Sequence, residues 1–502
     1  MQTPTTPLPQ EIELKLALPA ADPAALLRQL LRVPALARRK ATTLHLHNVY
    51  YDTPAQTLRG LRVALRVRRV GSAAKPQWLQ TLKIGGAGDS ALSQRGEWEV
   101  AVAGPALSAQ ALRDTPWADI DPDGALLAAL VPCFETTFER TRWVVRKRDG
   151  SQIEVALDRG YIRAGGHRLR ICELELELLA GAPNALFAVA SEIAQSVAVL
   201  PLSASKSERA YALAQHRAPV PRRARPPGLT PELGPAQAAQ RVLREAFDQF
   251  LANLHALADS DDPEIVHQAR VGWRRFRSLQ RLFKPVLTGN DVPDCVALRP
   301  MLNALGALRD LDVARTDTLV SFAEAFAAGD AGRVQGWQAM LIAMADAAQQ
   351  QRSQARLATA QPVVGTCLLA ITQWLETLHQ PGAAASSGDP KLRRWARRRL
   401  KRLHQRLRAA VREQMDDAAA QHRVRILAKR LRYGIEALEA LWRKPGTRGW
   451  YQQAMTLQSE LGAARDLVRA IELIDALGVD PTVAAFLRGV ASARRTTAVT
   501  SG

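Results

Sequence analysis

Residues 11–15 read Glu11-Ile12-Glu13-Leu14-Lys15, a strict alternation of charged and apolar side chains. Successive side chains of a β-strand point to opposite faces, so this stretch predicts a strand with two carboxylates and an ammonium on one face. Charges of both signs that face inward are costly to bury unless ions fill the space between them. The stretch therefore predicts a strand that packs its apolar face on a core and lines a site for metal ions and a polyanion with its charged face.

The same alternation recurs in four later stretches. These place on single strand faces Glu173, Glu175 and Glu177; Arg95, Glu97 and Glu99; Arg66 and Arg68; and Lys83. One such strand usually means a sheet with one face in water. Five strands, some acidic and some basic, together predict a cavity lined by charges.

With these motifs in place, the N-terminal region resembles the CYTH domain, a triphosphate tunnel metalloenzyme, over about residues 8–215. The resemblance rests on an ordered set of motifs: Glu11-x-Glu13-x-Lys15, Tyr51-Asp52-Thr53-Pro54, Leu65-Arg66-Val67-Arg68, Lys83, Arg95-x-Glu97-x-Glu99, Arg140 before Trp143, Asp158, Glu173-x-Glu175-x-Glu177, and Lys206 in Ser205-Lys206-Ser207. It implies an eight-stranded antiparallel barrel whose open tunnel binds a triphosphate.

Chemistry and resemblance together assign roles to these side chains. Mg²⁺ and Mn²⁺ prefer oxygen ligands, and the predicted metal ligands are Glu11, Glu13, Asp158, Glu173 and Glu175. By alternation along their strands, Glu97, Glu99 and Glu177 also point to the charged face. Their position along the strand decides whether they reach the substrate. Cationic side chains neutralise phosphate oxygens, and those predicted to do so are Lys15, Arg66, Arg68, Lys83, Arg140 and Lys206. We expect metal-dependent hydrolysis of tripolyphosphate that releases phosphate.

The second half of the chain differs in kind. Residues 217–235 are dense in proline and arginine, which predicts a stiff, solvated linker between an N-terminal domain at 1–216 and a C-terminal domain at 236–502. Beyond the linker, apolar residues recur at helical spacing and strand-like alternation stops. The predicted fold class is α+β with two domains, the second of them all-helical.

The helical half contains an internal duplication, about 236–385 and 386–502. His267 is followed by basic residues at offsets +3, +7, +8 and +10, and His422 by basic residues at the same offsets. They are Arg270, Arg274, Arg275 and Arg277 in the first copy and Arg425, Lys429, Arg430 and Arg432 in the second. A Leu-Gly-Ala-x-Arg-Asp motif follows each, ending at Arg309-Asp310 and at Arg465-Asp466. Two motifs at matching separations indicate a repeat.

Helical geometry places most of each set on one face. At ~100° per residue, offsets 0, +3, +7 and +10 fall within a stripe roughly 80° wide. Exposed basic helices normally carry acidic residues at i±4, and these stripes carry none. The segment Lys391–Arg412 is likewise rich in basic residues and free of acidic ones. Like charges at this spacing predict an external anion.

These paired helices resemble the CHAD domain, a conserved histidine α-helical domain, over about residues 236–495. The resemblance implies two pseudo-symmetric helical bundles that bind inorganic polyphosphate across a basic groove or pore. The phosphate contacts that it implies are His267, Arg270, Arg274, Arg275, Arg277, Arg309, His422, Arg425, Lys429, Arg430, Arg432 and Arg465. Asp310 and Asp466 would orient basic neighbours. For each His, packing inside a bundle is an alternative to phosphate contact.

Bulk properties agree with this interpretation. The formal net charge is +20, and residues 217–502 hold 42 Lys and Arg against 27 Asp and Glu. This excess fits a polyanion partner. The four cysteines include no Cys-x-x-Cys pair, which favours a reducing cytoplasm. As a polyphosphate binder, the protein is also expected to associate with polyphosphate granules. The sequence shows no basic-then-apolar signal segment and no apolar run of ~20 residues, so we expect no membrane partner.

Two alternatives stay open at this point. The chain could be a non-enzymatic polyphosphate or nucleic-acid binder with an inactive tunnel, although few aromatic residues are available for base stacking, which disfavours nucleic acid. The tunnel could instead act on an organic triphosphate, by hydrolysing thiamine triphosphate or cyclising ATP. The preferred triphosphate, the metal and the general base are not fixed by the sequence.

Overall fold

The computed structural model describes residues 10–19, 22–71, 75–85, 90–215, 219–287, 292–378, 391–413, 418–442 and 447–500. The chain forms two compact units. The first comprises residues 1–220 with 360–373, and the second comprises 221–359 with 374–502. Residues 217 and 218 of the predicted linker, and the predicted junction of the duplication near 385, lie outside the described residues.

Nine strands lie in the described part of the first unit. They are β1 (Gln10–Ala17), β2 (Thr42–Asp52), β3 (Val63–Val70), β4 (Gln77–Ile84), β5 (Leu92–Val102), β6 (Val131–Arg146), β7 (Gln152–Ala164), β8 (His167–Ala180) and the two-residue β9 (Leu200–Pro201). The order is β5-β4-β3-β2-β6-β7-β8-β1, and β1 pairs with β5 to close the sheet. The predicted eight-stranded antiparallel barrel is therefore confirmed, with β9 added beside β1.

The barrel is apolar on its outside and charged on its inside. Leu14 and Leu16 of β1 are fully buried in a core that lies outside the sheet, where they meet Leu30 and Leu186 from the flanking helices. Glu13 and Lys15, on the opposite face of β1, are also almost fully buried. The strand parity read from the sequence therefore holds, and both faces of β1 are covered.

Six short helices flank these strands. They are α1 (Pro23–Leu30), α2 (Thr57–Gly60), α3 (Trp117–Ile120), α4 (Ala125–Ala128), α5 (Asn184–Ala194) and α6 (Lys206–Ala214). Asp52, from the Tyr51-Asp52-Thr53-Pro54 motif, is fully buried and accepts hydrogen bonds from the backbone of Thr53 and Leu58 and from the Tyr211 hydroxyl. This motif therefore fixes the end of β2 and docks α6, outside the tunnel.

The remaining helices form or lead into the second unit. They are α7 (Pro235–Asp259), α8 (Pro263–Phe283), α9 (Arg299–Val313), α10 (Ala323–Ala327), α11 (Ala331–Thr359), α12 (Pro362–Thr377), α13 (Leu392–Arg412), α14 (Ala418–Leu438), α15 (Arg448–Leu477) and α16 (Pro481–Thr500). The first part of α12 belongs to the first unit. Among the described helices none is by itself long and apolar enough to span a membrane, and α11 with α12 reaches that criterion only as a pair with a break between them.

The two histidine helices occupy matching places in the chain. His267 lies on α8 and His422 on α14, and these two helices pack against each other. Helix α7 packs on α8, as α13 does on α14. Ahead of α7, the backbone N–H of Arg225 donates to Glu245 (2.6 Å). The Pro/Arg-rich segment is thus held against the first helix of this unit at Arg225.

Candidate functional site

The charged faces of the strands meet in a tunnel of about 500 Å³ inside the barrel. Strand register brings the motifs together: Lys15 pairs across the sheet with Glu175, Glu11 with Arg95, and Lys83 with Glu97. Ten of the predicted residues line the tunnel together with Arg95 and Tyr50: Glu11, Glu13, Lys15, Arg66, Arg68, Lys83, Arg140, Glu175, Glu177 and Lys206. Glu97 and Glu99 line it as well.

Asp158, Glu173 and Glu175 form an acidic trio at one side of this tunnel. One oxygen of each lies within 4.8 Å of the others, a spacing that could hold a metal ion. The ammonium of Lys206 already lies 2.7, 2.5 and 2.7 Å from oxygens of Asp158, Glu173 and Glu175. A metal ion at this point would have to displace that ammonium.

Two arginines complete the charge balance of the trio. Arg140 donates through Nε to Asp158 (2.8 Å) and also bonds Glu175, and Arg209 bonds Glu173. Burial opposes the charged form of Glu175, but Lys206 and Arg140 outweigh it and hold the pKa of this carboxyl well below its usual range. Glu175 is therefore held in its charged form, and each carboxylate of the trio is paired with a cation of the chain.

The local fold of α6 explains the position of Lys206. The Ser205 hydroxyl accepts from the backbone N–H of Glu208 (3.1 Å), and the Glu208 carboxylate accepts from the N–H of Ser205 (2.6 Å). This capping box starts the helix at Lys206. The first-turn side chain is thereby aimed at the trio.

Five carboxylates gather on a second part of the tunnel wall: Glu11, Glu13, Glu97, Glu154 and Glu177. Glu177 lies opposite both Glu13 and Glu154 in the sheet. Burial, followed by repulsion from neighbouring carboxylates of which Glu11 contributes most, raises the pKa of Glu177 to about 7. These groups form the acidic wall, whose partners are Lys83 (2.8 Å from Glu11) and Arg95 (2.9 Å from Glu11).

Arg66, Arg68 and Arg140 form a cationic wall in the same tunnel. Arg66 donates to the Tyr50 hydroxyl (3.2 Å), and Arg68 donates to the Asn48 side chain (2.8 Å). Burial and repulsion by Arg66 and Arg140 lower the pKa of Arg68 to about 10. Cations that repel one another in a buried place create a site for an anion.

Three residues of this site had no assigned role from the sequence. Arg95 had been noted in its motif, and its guanidinium bonds both Glu11 and Glu13. Arg209 lies one helical turn after Lys206 and holds Glu173. Tyr50 alternates with Asn48 on β2 and meets Arg66. Two sequence signals could have found them: alternation along a strand from an assigned residue, for Arg95 and Tyr50, and one-turn spacing along a helix from Lys206, for Arg209.

The acidic wall is a second candidate place for a divalent cation, beside the acidic trio. Carboxylate oxygens suit Mg²⁺ or Mn²⁺, and here too an ion would have to displace an ammonium, because Nζ of Lys83 lies 2.8 Å from Glu11 and 3.0 Å from Glu97. The raised pKa of Glu177 marks a place where nearby carboxylates favour an added positive charge. The residues that would hold such an ion are Glu11, Glu13 and Glu177, with Glu97 beside them.

In the second unit, six of the predicted basic residues converge from both copies of the duplication. We call them the central cluster: Arg270, Arg274, Arg309, Arg425, Lys429 and Arg465. Burial, then repulsion by Arg274 and Arg425, lowers the pKa of Lys429 to about 7. Burial and Arg465 lower the pKa of Arg425. Residues from the two repeats therefore share one electrostatic site.

A glycine of the repeated motif makes room for this cluster. The Arg270 guanidinium donates to the carbonyl of Leu302 (3.2 Å) on α9. A Cβ on Gly306 would lie 2.7 Å from Nη1 of Arg270, so any side chain there would push this guanidinium away. Gly462, its counterpart in the second copy, has no atom within 4 Å of such a Cβ. The two copies are therefore not equivalent in detail.

Other predicted phosphate contacts lie outside the cluster. Arg275 is buried and pairs with Glu245 (2.9 Å), Arg277 donates to Gln280 (2.8 Å), and Arg430 lies near Arg281 and Arg406, which help to lower its pKa after burial. Arg432 borders Lys429 and lies 3.6 Å from Glu436.

The two signature histidines differ in environment. Burial, and then the positive charge of Arg309, lowers the pKa of His267 to about 4, so this imidazole is neutral at pH 7. His422 is exposed. The two aspartates of the repeated motif lie close enough for Asp310 to help raise the pKa of Asp466, although burial is the larger cause. Asp310 accepts from Nε of Arg469 (3.0 Å), which agrees with its predicted role of orienting basic side chains.

Comparison with known families gives two matches. The CYTH domain family matches residues 9–211, and the CHAD domain family matches residues 241–475. An inorganic triphosphatase of Haemophilus influenzae is 33% identical over 205 residues, which are 41% of this chain and 55% of that protein. The chain thus spans about half the length of this curated relative.

Solved structures resemble each half separately. The CHAD domain from the plant Ricinus communis is 30% identical with a TM-score of 0.46, covering 55% of this chain and 92% of that one. A putative adenylyl cyclase from Hippeastrum, described as having a dominant triphosphatase activity, is 22% identical with a TM-score of 0.30, covering 41% of this chain and 95% of that one.

Proposed function

We propose that this chain, which contains a CYTH domain followed by a CHAD domain, is a metal-dependent inorganic triphosphatase with an attached polyphosphate-binding unit. The observation that carries the first part is the tunnel, which is lined by both a cationic wall and an acidic wall. A phosphate chain needs positive charge along its length, and a divalent cation needs carboxylates. The name of the Haemophilus influenzae relative supports this reaction class.

The residues of the chain would divide the work as follows. Arg66, Arg68 and Arg140 bind and orient the phosphate chain, because a guanidinium can donate two parallel hydrogen bonds to a phosphate. Glu11, Glu13 and Glu177 hold the cation. When bound, a divalent cation neutralises phosphate charge and lowers the pKa of coordinated water. Asp158, Glu173 and Glu175 hold Lys206 and Arg140 in place.

The burial of charged side chains in the tunnel favours positioning as the main source of catalysis. Glu13 and Lys15 are almost fully buried, so substrate charges meet them with little water between. Phosphoryl transfer depends mostly on positioning and electrostatic stabilisation. This arrangement supports a hydrolase of phosphoanhydrides that acts by positioning and charge stabilisation.

The central cluster carries the second part of the proposal. Six cations from two repeats are gathered where burial and mutual repulsion already lower the pKa of Lys429 and Arg425. A bound polyanion would relieve that repulsion. We assign polyphosphate as the partner of the central cluster and leave Arg275, Arg277 and Arg430 out of it.

A substrate panel tests the enzymatic proposal. Phosphate release is measured from tripolyphosphate, ATP, thiamine triphosphate and long-chain polyphosphate, with Mg²⁺, with Mn²⁺ and with a chelator. We expect tripolyphosphate to be the best substrate and the chelator to abolish release. Faster turnover of ATP or thiamine triphosphate would instead assign the tunnel to organic triphosphates.

A competition experiment tests the binding proposal. Labelled long-chain polyphosphate is bound to the full chain and displaced by duplex DNA or single-stranded RNA at fixed salt. We expect polyphosphate to displace labelled nucleic acid far better than the reverse. Equal competition in both directions would indicate a general polyanion binder.

A further inference from the structure

Helix α13 presents a second, separate basic surface in the helical unit. It holds ten Lys or Arg in 21 residues and no Asp or Glu. We call its outward stripe the α13 basic face: Arg394, Arg397, Arg398, Lys401, Arg408 and Arg412, all exposed. At ~100° per residue these six fall within about 120° of one another, and Arg394 to Arg412 spans about 27 Å. The surface is a long, straight row of positive charge.

The internal repeat offers a second helix, α7, with which the charge of α13 can be compared. Helix α7 stands before the first histidine helix as α13 stands before the second, and each packs on the helix that follows it. Helix α7 holds two Arg and three Asp or Glu in 25 residues. Its place in the repeat is therefore filled without excess charge. The position in the repeat does not by itself require the exposed cations of α13.

Only part of the charge on α13 has a structural use. Nε of Arg399 donates to the carbonyl of Leu282 (3.2 Å) in the last turn of α8, and Nε of Arg393 donates to the carbonyl of Leu441 (2.8 Å). Such bonds satisfy carbonyls at helix ends. Among the ion pairs of the described residues, none involves residues 391–412. The stripe therefore has no internal counter-charge in the described chain.

Helix α14 packs on α13 and carries Lys429 of the central cluster, so it lies between the two basic regions. Arg281 and Arg406 lie close enough to Arg430 to help lower its pKa, after burial. Lys429, the preceding residue on α14, faces the central cluster. One helix thus borders both basic regions, with Arg406 and Arg430 between them.

The chemistry of the α13 basic face favours a ligand that is recognised through its phosphate groups alone. The aromatic residues of α13 are turned inward: Trp395 stacks on Phe283 (4.7 Å) and His404 on Trp450 (4.6 Å). No base-stacking platform therefore accompanies the arginines. The apolar face of α13 is buried in the bundle, so it cannot enter a bilayer. Arginine forks suit phosphate oxygens.

We propose that the α13 basic face is a second binding surface for long-chain polyphosphate, reached by chains that extend beyond the central cluster across α14. The inference rests on the proposed function of the helical unit and adds chain-length selectivity to it. Short chains occupy one site, whereas long chains engage two linked sites and gain affinity from the high effective concentration of the second.

The test compares two variants of the full chain with equal loss of charge. One carries Arg397→Gln, Arg398→Gln, Lys401→Gln and Arg408→Gln. The matched control carries Arg28→Gln, Arg32→Gln, Arg113→Gln and Arg148→Gln, four exposed residues of the first unit. Affinities for long-chain polyphosphate and for tripolyphosphate are measured at two salt concentrations, and circular dichroism reports on folding. Glutamine preserves helix propensity.

We expect the α13 variant to lose about tenfold or more in affinity for long-chain polyphosphate relative to tripolyphosphate, with a shallower salt dependence. The control variant should keep the parent ratio. An unchanged ratio in the α13 variant, or an equal loss of ratio in the control variant, would overturn the inference. A third variant, Arg274→Gln with Arg425→Gln and Arg465→Gln, separates the two proposals: if it binds polyphosphate as the parent does, the proposed function of the helical unit itself fails.

Discussion

The ammonium of Lys206 lies 2.7 Å from a carboxylate oxygen of Asp158, a side chain that is fully buried. Glu173 and Glu175 place oxygens around the same ammonium. A cluster that could be taken for a metal site is therefore already occupied by a cation of the chain. A metal ion at the trio would have to displace this ammonium, just as one beside Glu11 would have to displace the ammonium of Lys83.

Replacing Lys206 with methionine should destabilise the first unit. The buried carboxylates would lose their central counter-charge, and breaking a buried ion network from one side costs about 3–5 kcal/mol of unfolding free energy. Urea unfolding of the variant measures the loss. Adding Asp158→Asn to Lys206→Met should restore part of it, because one buried negative charge is removed too. A single variant as stable as the parent would contradict this account of the trio.

Glu11→Gln should lower phosphate release from tripolyphosphate by at least about 100-fold, since even residues that only support metal ligands are worth 10–100-fold. The amide keeps the shape and can still accept from Lys83 or Arg95. Its metal affinity, measured by calorimetry with Mn²⁺, should fall in parallel.

The matched control for Glu11→Gln is Glu139→Gln. Glu139 precedes Arg140 on β6 and therefore lies on the outer face of the barrel, where it pairs with Arg159. This variant should retain parent turnover and metal affinity. Full activity in Glu11→Gln would remove Glu11 from the proposed metal ligands.

Polyphosphate binding should weaken as pH rises from about 6 to 8. Lys429 has a pKa of about 7, lowered by burial and by Arg274 and Arg425, so it loses its positive charge across this window. Neutral His267, with a pKa of about 4, does not titrate there. Fluorescence titrations at several pH values should lose this dependence in Lys429→Arg, because arginine stays charged. A His422→Gln variant separates any contribution of that exposed imidazole.

The same lysine should affect stability in a defined direction. Between pH 7 and about 10.4, the usual pKa of lysine, the unfolded chain binds a proton at Lys429 that the folded chain does not. Folding stability attributable to this residue should therefore rise with pH across that window. Lys429→Gln should flatten the rise seen by thermal unfolding; an identical pH profile would argue against the lowered pKa.

Substitutions of the adjacent residues Arg274 and Arg275 should have different effects on stability and on polyphosphate binding. Arg275→Gln removes the partner of the buried Glu245 and should cost about 3 kcal/mol of stability. Arg274→Gln removes a cation of the central cluster, so it should weaken polyphosphate binding with little change in stability. Measuring both properties on both variants distinguishes them. Equal binding losses at equal stability would show that Arg275 also reaches the ligand.

Much of the barrel could be predicted from parity alone. The alternation at Glu11-Ile12-Glu13-Leu14-Lys15 fixes which side chains share a face, because the period of a strand is two residues. The same rule placed Arg66 and Arg68 together, and the tunnel confirms that shared face. The repeat around His267 and His422 was equally visible, since both copies keep the same offsets from histidine.

The pairing of charges could not be read from the chain. Lys206 and Asp158 are 48 residues apart, and only the barrel register and the capping box at Ser205 bring them within hydrogen-bond distance. Likewise, helical spacing cannot tell that Arg275 turns into the bundle towards Glu245 while Arg274 faces the central cluster. Adjacent residues of a helix differ by about 100° in direction around its axis, and this difference is enough to place one arginine in the bundle and the other in the central cluster.

The sequence by itself therefore determined which residues are charged, which faces of strands and helices they share, and that two repeats exist, because these depend on local periodicity. Only the tertiary structure decided which carboxylate pairs with which cation of the chain, as Asp158 does with Lys206 and Glu11 with Lys83. That decision depends on distances between residues far apart in sequence, and at such distances the energy of a charge pair varies steeply with separation and burial.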